Sequence, residues 1–231
     1  MQERLTPTAA VKLAGEFLGT LFLVATVVGS GIMAAKLAGG NEAVALLGNT
    51  LATGVMLTVL ITVIRSLSGA HLNPAVSVAL CMRGELRFGW LMPYVVAQIV
   101  GGIFGTWLAH LMFDVTVFQT STNLRLSLGT FVAEIVATFG LVAAILGTLR
   151  INPNWIGPMV GLYVSGAYWF TSSTSFANPA VTLARSMSDS FTGIAPVDVL
   201  PFIGAQLIGA IIAAACFGLL DRSSHVKPQV D

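Results

Sequence analysis

The chain has 231 residues, 55% of them hydrophobic and 9% charged, with a formal net charge of +1. A soluble domain carries about 25% charged residues, so this sparse charge and a mean hydropathy of +0.86 make lipid the natural solvent. The near-neutral balance gives no reason to expect a nucleic-acid partner. Two cysteines, Cys81 and Cys216, lack CxxC spacing and neighbouring histidines, which argues against a metal site or a disulfide framework.

The N-terminal MQERLTPTAAVKLAG has an acidic residue near its start, and the apolar run after it is long enough to span, so it does not read as a secretory signal. A bilayer core about 30 Å thick needs about 20 apolar residues in a helix. Taken in order, the spans are expected at about 11–35, 43–64, 89–113, 128–149, 155–170 and 197–220, the fifth being short. Two apolar segments are left over, His71–Met82 and Phe176–Met187. Each is too short to cross, and each follows small and polar residues, SLSGAHLNPAV in one case and TSSTSFANPAV in the other. Such segments suggest half-helices that dip into the membrane and stop.

The chain reads as one domain, 1–231, built from two repeats at about 12–113 and 128–220. GEFLGTLFLVA from Gly15 matches AEIVATFGLVA from Ala133. LNPAVSVAL from Leu72 matches ANPAVTLAR from Ala177, and PYVVAQIVGGIFG from Pro93 matches PFIGAQLIGAIIA from Pro201. Three spans per half is an odd number, so the halves are inverted and their breaks meet near the midplane. With the N-terminus inside, Arg4, Lys12, Arg65, Arg83, Arg87, Arg150, Arg222 and Lys227 are cytoplasmic, against Lys36, Arg125 and Arg185 outside. That excess puts both termini in the cytoplasm.

At the breaks stand Asn73-Pro74-Ala75 and Asn178-Pro179-Ala180. Proline suits the first turn of a helix, and the asparagine before it can cap that helix. Both helices then point their positive ends at the midplane, each worth about half an elementary charge. A cation or a hopping proton meets a barrier there, while a neutral solute meets two amide donors. Two such motifs in matching places of inverted halves resemble the aquaporin (major intrinsic protein) family, and SGAHLNPAVS is close to its first signature. The resemblance runs from about residue 12 to 220. It implies an all-α membrane fold of six transmembrane helices plus two re-entrant half-helices. It also implies one pore per protomer, passive passage of small neutral solutes, a homotetramer in the lipid bilayer, no cofactor and no enzymatic chemistry.

Glu16 and Glu134 are paired by the repeat. Intramembrane carboxylates are usually functional. A proton relay is one reading, and acceptance of backbone N–H bonds that fix pore-lining carbonyls is the other, favoured by the resemblance. Gln98 and Gln206 read as interhelical partners. His71 reads as a hydrogen-bonded pore histidine or as a titratable gate. Gly15, Gly19, Gly101, Gly102, Gly105, Gly204 and Gly209 read as close-packing positions.

In the family pattern an arginine directly follows the second motif; here that position is Val181. Carried over by spacing, the selectivity filter is Thr53, Tyr168, Ser175 and Val181, with Gly166 as the alternative to Tyr168. Such a ring offers hydroxyls and lacks a guanidinium. Arg185 shares a helix face with Val181 but stands about 10 Å outward of Asn178 against about 4.5 Å for Val181. It reads as a cation near a helix C-terminus or as an outer vestibule charge that collects anionic solutes. Valine here, with threonine in the second span, resembles a branch found in arsenic-resistance operons of rhizobia. That likeness implies a bacterial inner-membrane facilitator of arsenite and methylated arsenicals, with glycerol and water as further solutes; an ordinary water or glycerol channel and a structural membrane protein with a closed pore are the alternatives.

Overall fold

The computed structural model describes residues 7–224, with side chains as far as 221. Arg4, Lys227 and the side chain of Arg222 lie outside the described residues. The described residues form eight α-helices and one 3₁₀ turn: α1 (Ala9–Leu37), α2 (Glu42–Ser68), α3 (Pro74–Met82), α4 (Phe88–Met112), α5 (Leu128–Ile151), the turn Pro153–Trp155, α6 (Ile156–Phe170), α7 (Pro179–Arg185) and α8 (Pro196–Ser224). Five of them, α1, α2, α4, α5 and α8, are long and apolar enough to cross a membrane. The sixth span, α6, has 15 residues, about 22 Å of helix, and the 3₁₀ turn before it adds length.

Local chemistry sets the helix ends. Thr8, Asn41 and Ser127 cap α1, α2 and α5 through their side-chain oxygens. Gly69 ends α2 in the left-handed region at φ 93°, a conformation glycine adopts without penalty. The half-helices are shorter than the apolar segments that contain them. His71–Asn73 and Phe176–Asn178 are non-helical, and α3 and α7 begin only at Pro74 and Pro179. Asparagine caps and a following proline explain both starts.

The packing repeats the internal symmetry. α1 lies against α4 and α2, and α5 lies against α8 and α6. α2 meets α6 across the seam, and α3 and α7 touch between the halves. Helix approach is closest where glycine faces backbone. A Cβ on Gly101 would stand 2.3 Å from the Phe17 carbonyl oxygen, and one on Gly209 would stand 2.3 Å from that of Ile135. These are equivalent positions in the two repeats. Gly204 corrects the packing expectation, since a Cβ there would meet nothing within 4 Å. It faces away from its neighbours.

Apolar side chains cover the outside of the bundle as well as filling its core, and polar ones are buried among them. Glu16, Gln98, Glu134 and Gln206 are fully buried, while Leu18, Phe22, Val55, Phe104, Leu162 and Leu200 are exposed. An apolar exterior around a core that holds charged and amide groups fits lipid as the surrounding solvent.

Candidate functional site

Asn73 and Asn178 each perform two tasks. The Asn73 Oδ1 accepts from the N–H of Ala75 at 2.8 Å, and the Asn178 Oδ1 accepts from Ala180 at 3.0 Å. Each amide nitrogen then donates across the midplane, Asn73 to the Ala177 carbonyl at 2.7 Å and Asn178 to the Leu72 carbonyl at 2.8 Å. An asparagine amide has two N–H donors, so each residue keeps one beyond the cross bond. Both asparagines line one cavity of about 210 Å³. Pro74, Ala75, Pro179 and Ala180 are buried behind it at the starts of α3 and α7.

The loops entering the half-helices are held in an uncommon backbone conformation. Ala70 and Leu72 have φ of 52° and 51°, and Ser175 and Ala177 have φ of 50° and 45°. These residues stand three and one positions before each asparagine. The left-handed region is unfavourable by about 1–2 kcal/mol for a residue with a Cβ. Two buried carboxylates supply the compensation. Glu16 accepts from the N–H groups of His71 at 3.0 Å and Leu72 at 2.7 Å, and Glu134 accepts from Phe176 and Ala177, both at 2.9 Å. Gln98 and Gln206 donate to those carboxylates at 2.7 and 2.6 Å. Their amides also reach Ser77 at 3.1 Å and Thr182 at 2.8 Å. Those two hydroxyl residues escaped sequence reasoning, although the repeat marks them: each lies four positions after its asparagine. The loop residues 70–73 and 175–178 line the cavity. Leu23, Leu57, Ile61, Leu141, Ile145 and Val160 form an apolar wall.

At one end of the cavity lie Arg65 and Glu85, and His71 sits in its wall with Nδ1 3.0 Å from the Ser77 hydroxyl. At the other end lie Thr53, Tyr168, Ser175, Val181 and Arg185. The Tyr168 hydroxyl is 3.4 Å from that of Thr53. Gly166, the alternative, is exposed with open space beside it. Val181 is 5% exposed.

Arg185 is more enclosed than a vestibule residue would be, at 2% exposed. Its Nε donates to the Thr192 carbonyl, and its guanidinium carbon lies 3.3 Å from the Phe176 ring centroid. It lines both the main cavity and a second one of about 320 Å³, which also contains Glu42, Trp169, Thr174 and Arg125. Arg185 therefore stands between the two spaces. Spacing fixes only its height along α7, and the segment 186–195 that folds over it carries no sequence signal. Arg125 donates to the carbonyls of Gly193 and Phe191, and it lies 5.4 Å from the same Phe176 ring. Burial lowers the Arg125 pKa from its ordinary value, with Tyr168 and Glu134 acting in the opposite direction. Among the described residues no cluster of His, Cys, Asp or Glu could hold a metal ion.

Comparison with known proteins agrees with this geometry. The model of the major intrinsic protein family matches residues 4–164. Over 88% of the chain and 87% of the relative, the sequence is 50% identical to the aquaglyceroporin AqpS of Rhizobium meliloti. It is 29% identical to glycerol uptake facilitator protein 3 of Lactiplantibacillus plantarum, over 91% of the chain and 97% of that protein. The crystal structure of the aquaglyceroporin from Plasmodium falciparum superposes with a TM-score of 0.75, covering 91% of this chain and 96% of that one at 23% identity, a likeness of fold. The chain belongs to the major intrinsic protein family and is a multi-pass membrane channel, not an enzyme.

Proposed function

We infer that the protein is a passive facilitator for small uncharged solutes larger than water, with arsenite and methylated arsenicals as favoured solutes and glycerol and water also passing. One observation carries this reading: Val181 shares its end of the cavity wall with the hydroxyl residues Thr53, Tyr168 and Ser175, while the Arg185 guanidinium is held against the Phe176 ring. Selectivity in such pores depends on diameter, lining hydrogen bonds and electrostatic barriers. A valine leaves room where an arginine would narrow the passage, and three hydroxyls match a solute that itself presents several. The similarity to an aquaglyceroporin and to a glycerol uptake facilitator supports a solute of this size. Asn73, Asn178 and the two helix starts supply the cation barrier. Glu16, Glu134 and His71 support the pore loops.

In this reading the Arg185 end faces outward and the Arg65 end faces the cytoplasm of a bacterial inner membrane, with both termini inside. The excess of Lys12, Arg65, Arg83, Arg87 and Arg150 over Lys36, Arg125 and Arg185 favours it. A homotetramer completes the proposal, with exposed apolar side chains such as Leu18, Leu51 and Phe104 available to neighbouring subunits or lipid.

The test is shrinkage and reswelling of proteoliposomes challenged with water, glycerol and arsenite. Entry of glycerol and arsenite well above protein-free vesicles is expected. Water flux with no solute flux would reduce the protein to a water channel, and no flux at all would overturn the reading.

A further inference from the structure

Arg185 and Arg125 are the two cations that line the second cavity, and neither is ion-paired among the described residues. The ion pairs Arg83–Asp221 and Arg150–Asp221 lie at the opposite end of the bundle. Carbonyls and the Phe176 ring hold both guanidiniums in place without neutralising them. Arg185 Nη1 is buried with no protein partner, and so is the hydroxyl of Ser175 on the same cavity wall. A buried charged donor without a partner is costly, so the fold has built a hydrogen-bonding position and left it for something else. The second cavity is lined by these two guanidiniums and by Glu42, and Asp198 lies beside Arg125, where it accepts from the Arg125 backbone N–H.

We propose that this end of the pore is a docking station for small oxyacids and their anions. Arg185 Nη1 and the Ser175 hydroxyl bind a solute oxygen, and Arg125 supplies a second positive charge at the entrance. A guanidinium suits oxyacid oxygens because it donates in a plane and stays charged. The station precedes the Tyr168–Thr53 pair for a solute arriving from this side. It rests on the channel reading above for its place on a transport path, but not for its binding chemistry.

Inorganic phosphate serves as the probe, in proteoliposomes of zwitterionic lipid at matched ionic strength. The lipid composition removes anionic headgroups as an alternative occupant. Phosphate is expected to slow glycerol entry in the unaltered protein. Arg185→Gln should raise the half-inhibitory phosphate concentration at least about tenfold, the loss expected for one charge-assisted hydrogen bond. Ser175→Ala and Arg125→Gln should each raise it about threefold. Lys36→Gln removes an exposed cation from the same end and should leave it unchanged. No inhibition in the unaltered protein, no shift in Arg185→Gln, or an equal shift in Lys36→Gln would overturn the proposal. If glycerol does not enter at all, the channel reading fails separately, and docking is then read from the phosphate-induced rise in unfolding temperature of detergent-purified protein. That rise should appear in the unaltered protein and shift to about ninefold higher phosphate in Ser175→Ala combined with Arg125→Gln; its absence, or an unshifted rise in the double variant, overturns docking. The same comparison decides the matter if Arg185→Gln does not fold.

Discussion

Asn73 donates its side-chain amide to the carbonyl of Ala177, 2.7 Å away, and so ties the start of one half-helix to the loop that feeds the other. Asn178 returns the bond to Leu72. The two helix starts, each with a positive end of about half a charge, are thus locked together at the centre of the pore. Asn73→Asp would keep the cap but place a carboxylate oxygen against the Ala177 carbonyl. Loss of this bond with a buried carbonyl left unpaired should cost about 1–3 kcal/mol. The new negative charge should also lower the cation barrier. The expected outcome is a reduced unfolding temperature together with a sodium or potassium leak, read by a potential-sensitive dye in proteoliposomes. A variant as cation-tight as the parent would remove the helix-end barrier from the mechanism.

The filter argument predicts the effect of Val181→Arg. An arginine one turn before Arg185 fills the space that the valine leaves, and it adds a like charge at i,i+4 on α7, which is mildly destabilising. Glycerol and arsenite entry should fall at least about tenfold, a barrier increase of about 1.4 kcal/mol, while water flux falls less. The ratio of glycerol to water permeability decides the question. An unchanged ratio means that Val181 does not set the width.

The pore loops predict a matched pair of variants. Glu134→Gln would turn an amide N–H toward the backbone donors of Phe176 or Ala177, where the carboxylate accepts from both. Glu16→Gln does the same against His71 and Leu72. Each should cost about 1–3 kcal/mol and lower both the folded yield and the unfolding temperature. The symmetry of the repeat requires the two losses to be similar. A proton relay through either carboxylate would instead appear as a change in proton flux with stability intact.

The repeat makes much of this arrangement legible in the sequence, because it doubles each signal. Two asparagine-proline motifs, two glutamates and two glutamines stand at equivalent positions; each asparagine bonds the loop of the other half, and each glutamine bonds the glutamate of its own half. Helix register was also legible. Tyr168 lies on the cavity and Gly166 on the open side of α6, as expected for residues two apart on a helix. What escaped was non-repeated and depended on loops. Arg185 is buried because Thr192 and Phe176, in segments without periodicity, close around it. Gly204 looked like its neighbours in composition, and only the helix rotation turned it away from contact.

At the opposite end of the bundle, Asp221 of α8 is ion-paired with both Arg83 and Arg150. All three side chains are 24–39% exposed, so solvent screens much of the attraction. Asp221→Asn should lower stability by no more than about 1 kcal/mol, with a smaller difference at high salt. Thermal unfolding at two salt concentrations measures it. A loss of several kcal/mol would mean that these contacts hold α3 and α5 against α8 far more tightly than their exposure allows.

Two glycines on α8 separate close helix packing from mere composition. A Cβ on Gly209 would stand 2.3 Å from the Ile135 carbonyl oxygen and 3.0 Å from the Phe139 nitrogen, both backbone atoms that cannot swing aside. Gly209→Ala must therefore push α8 away from α5, and with it Gln206, which holds Glu134 and Thr182 from the same helix. Loss of folded protein, or of solute flux in whatever folds, is expected. Gly204→Ala adds a methyl group in open space and removes the flexibility of glycine from a helix interior, a change favourable by up to about 1 kcal/mol. It should leave yield and flux intact and raise the unfolding temperature slightly. If the two alanine variants behaved alike, the approach of α8 to α5 would not be what holds the Glu134 loop in place.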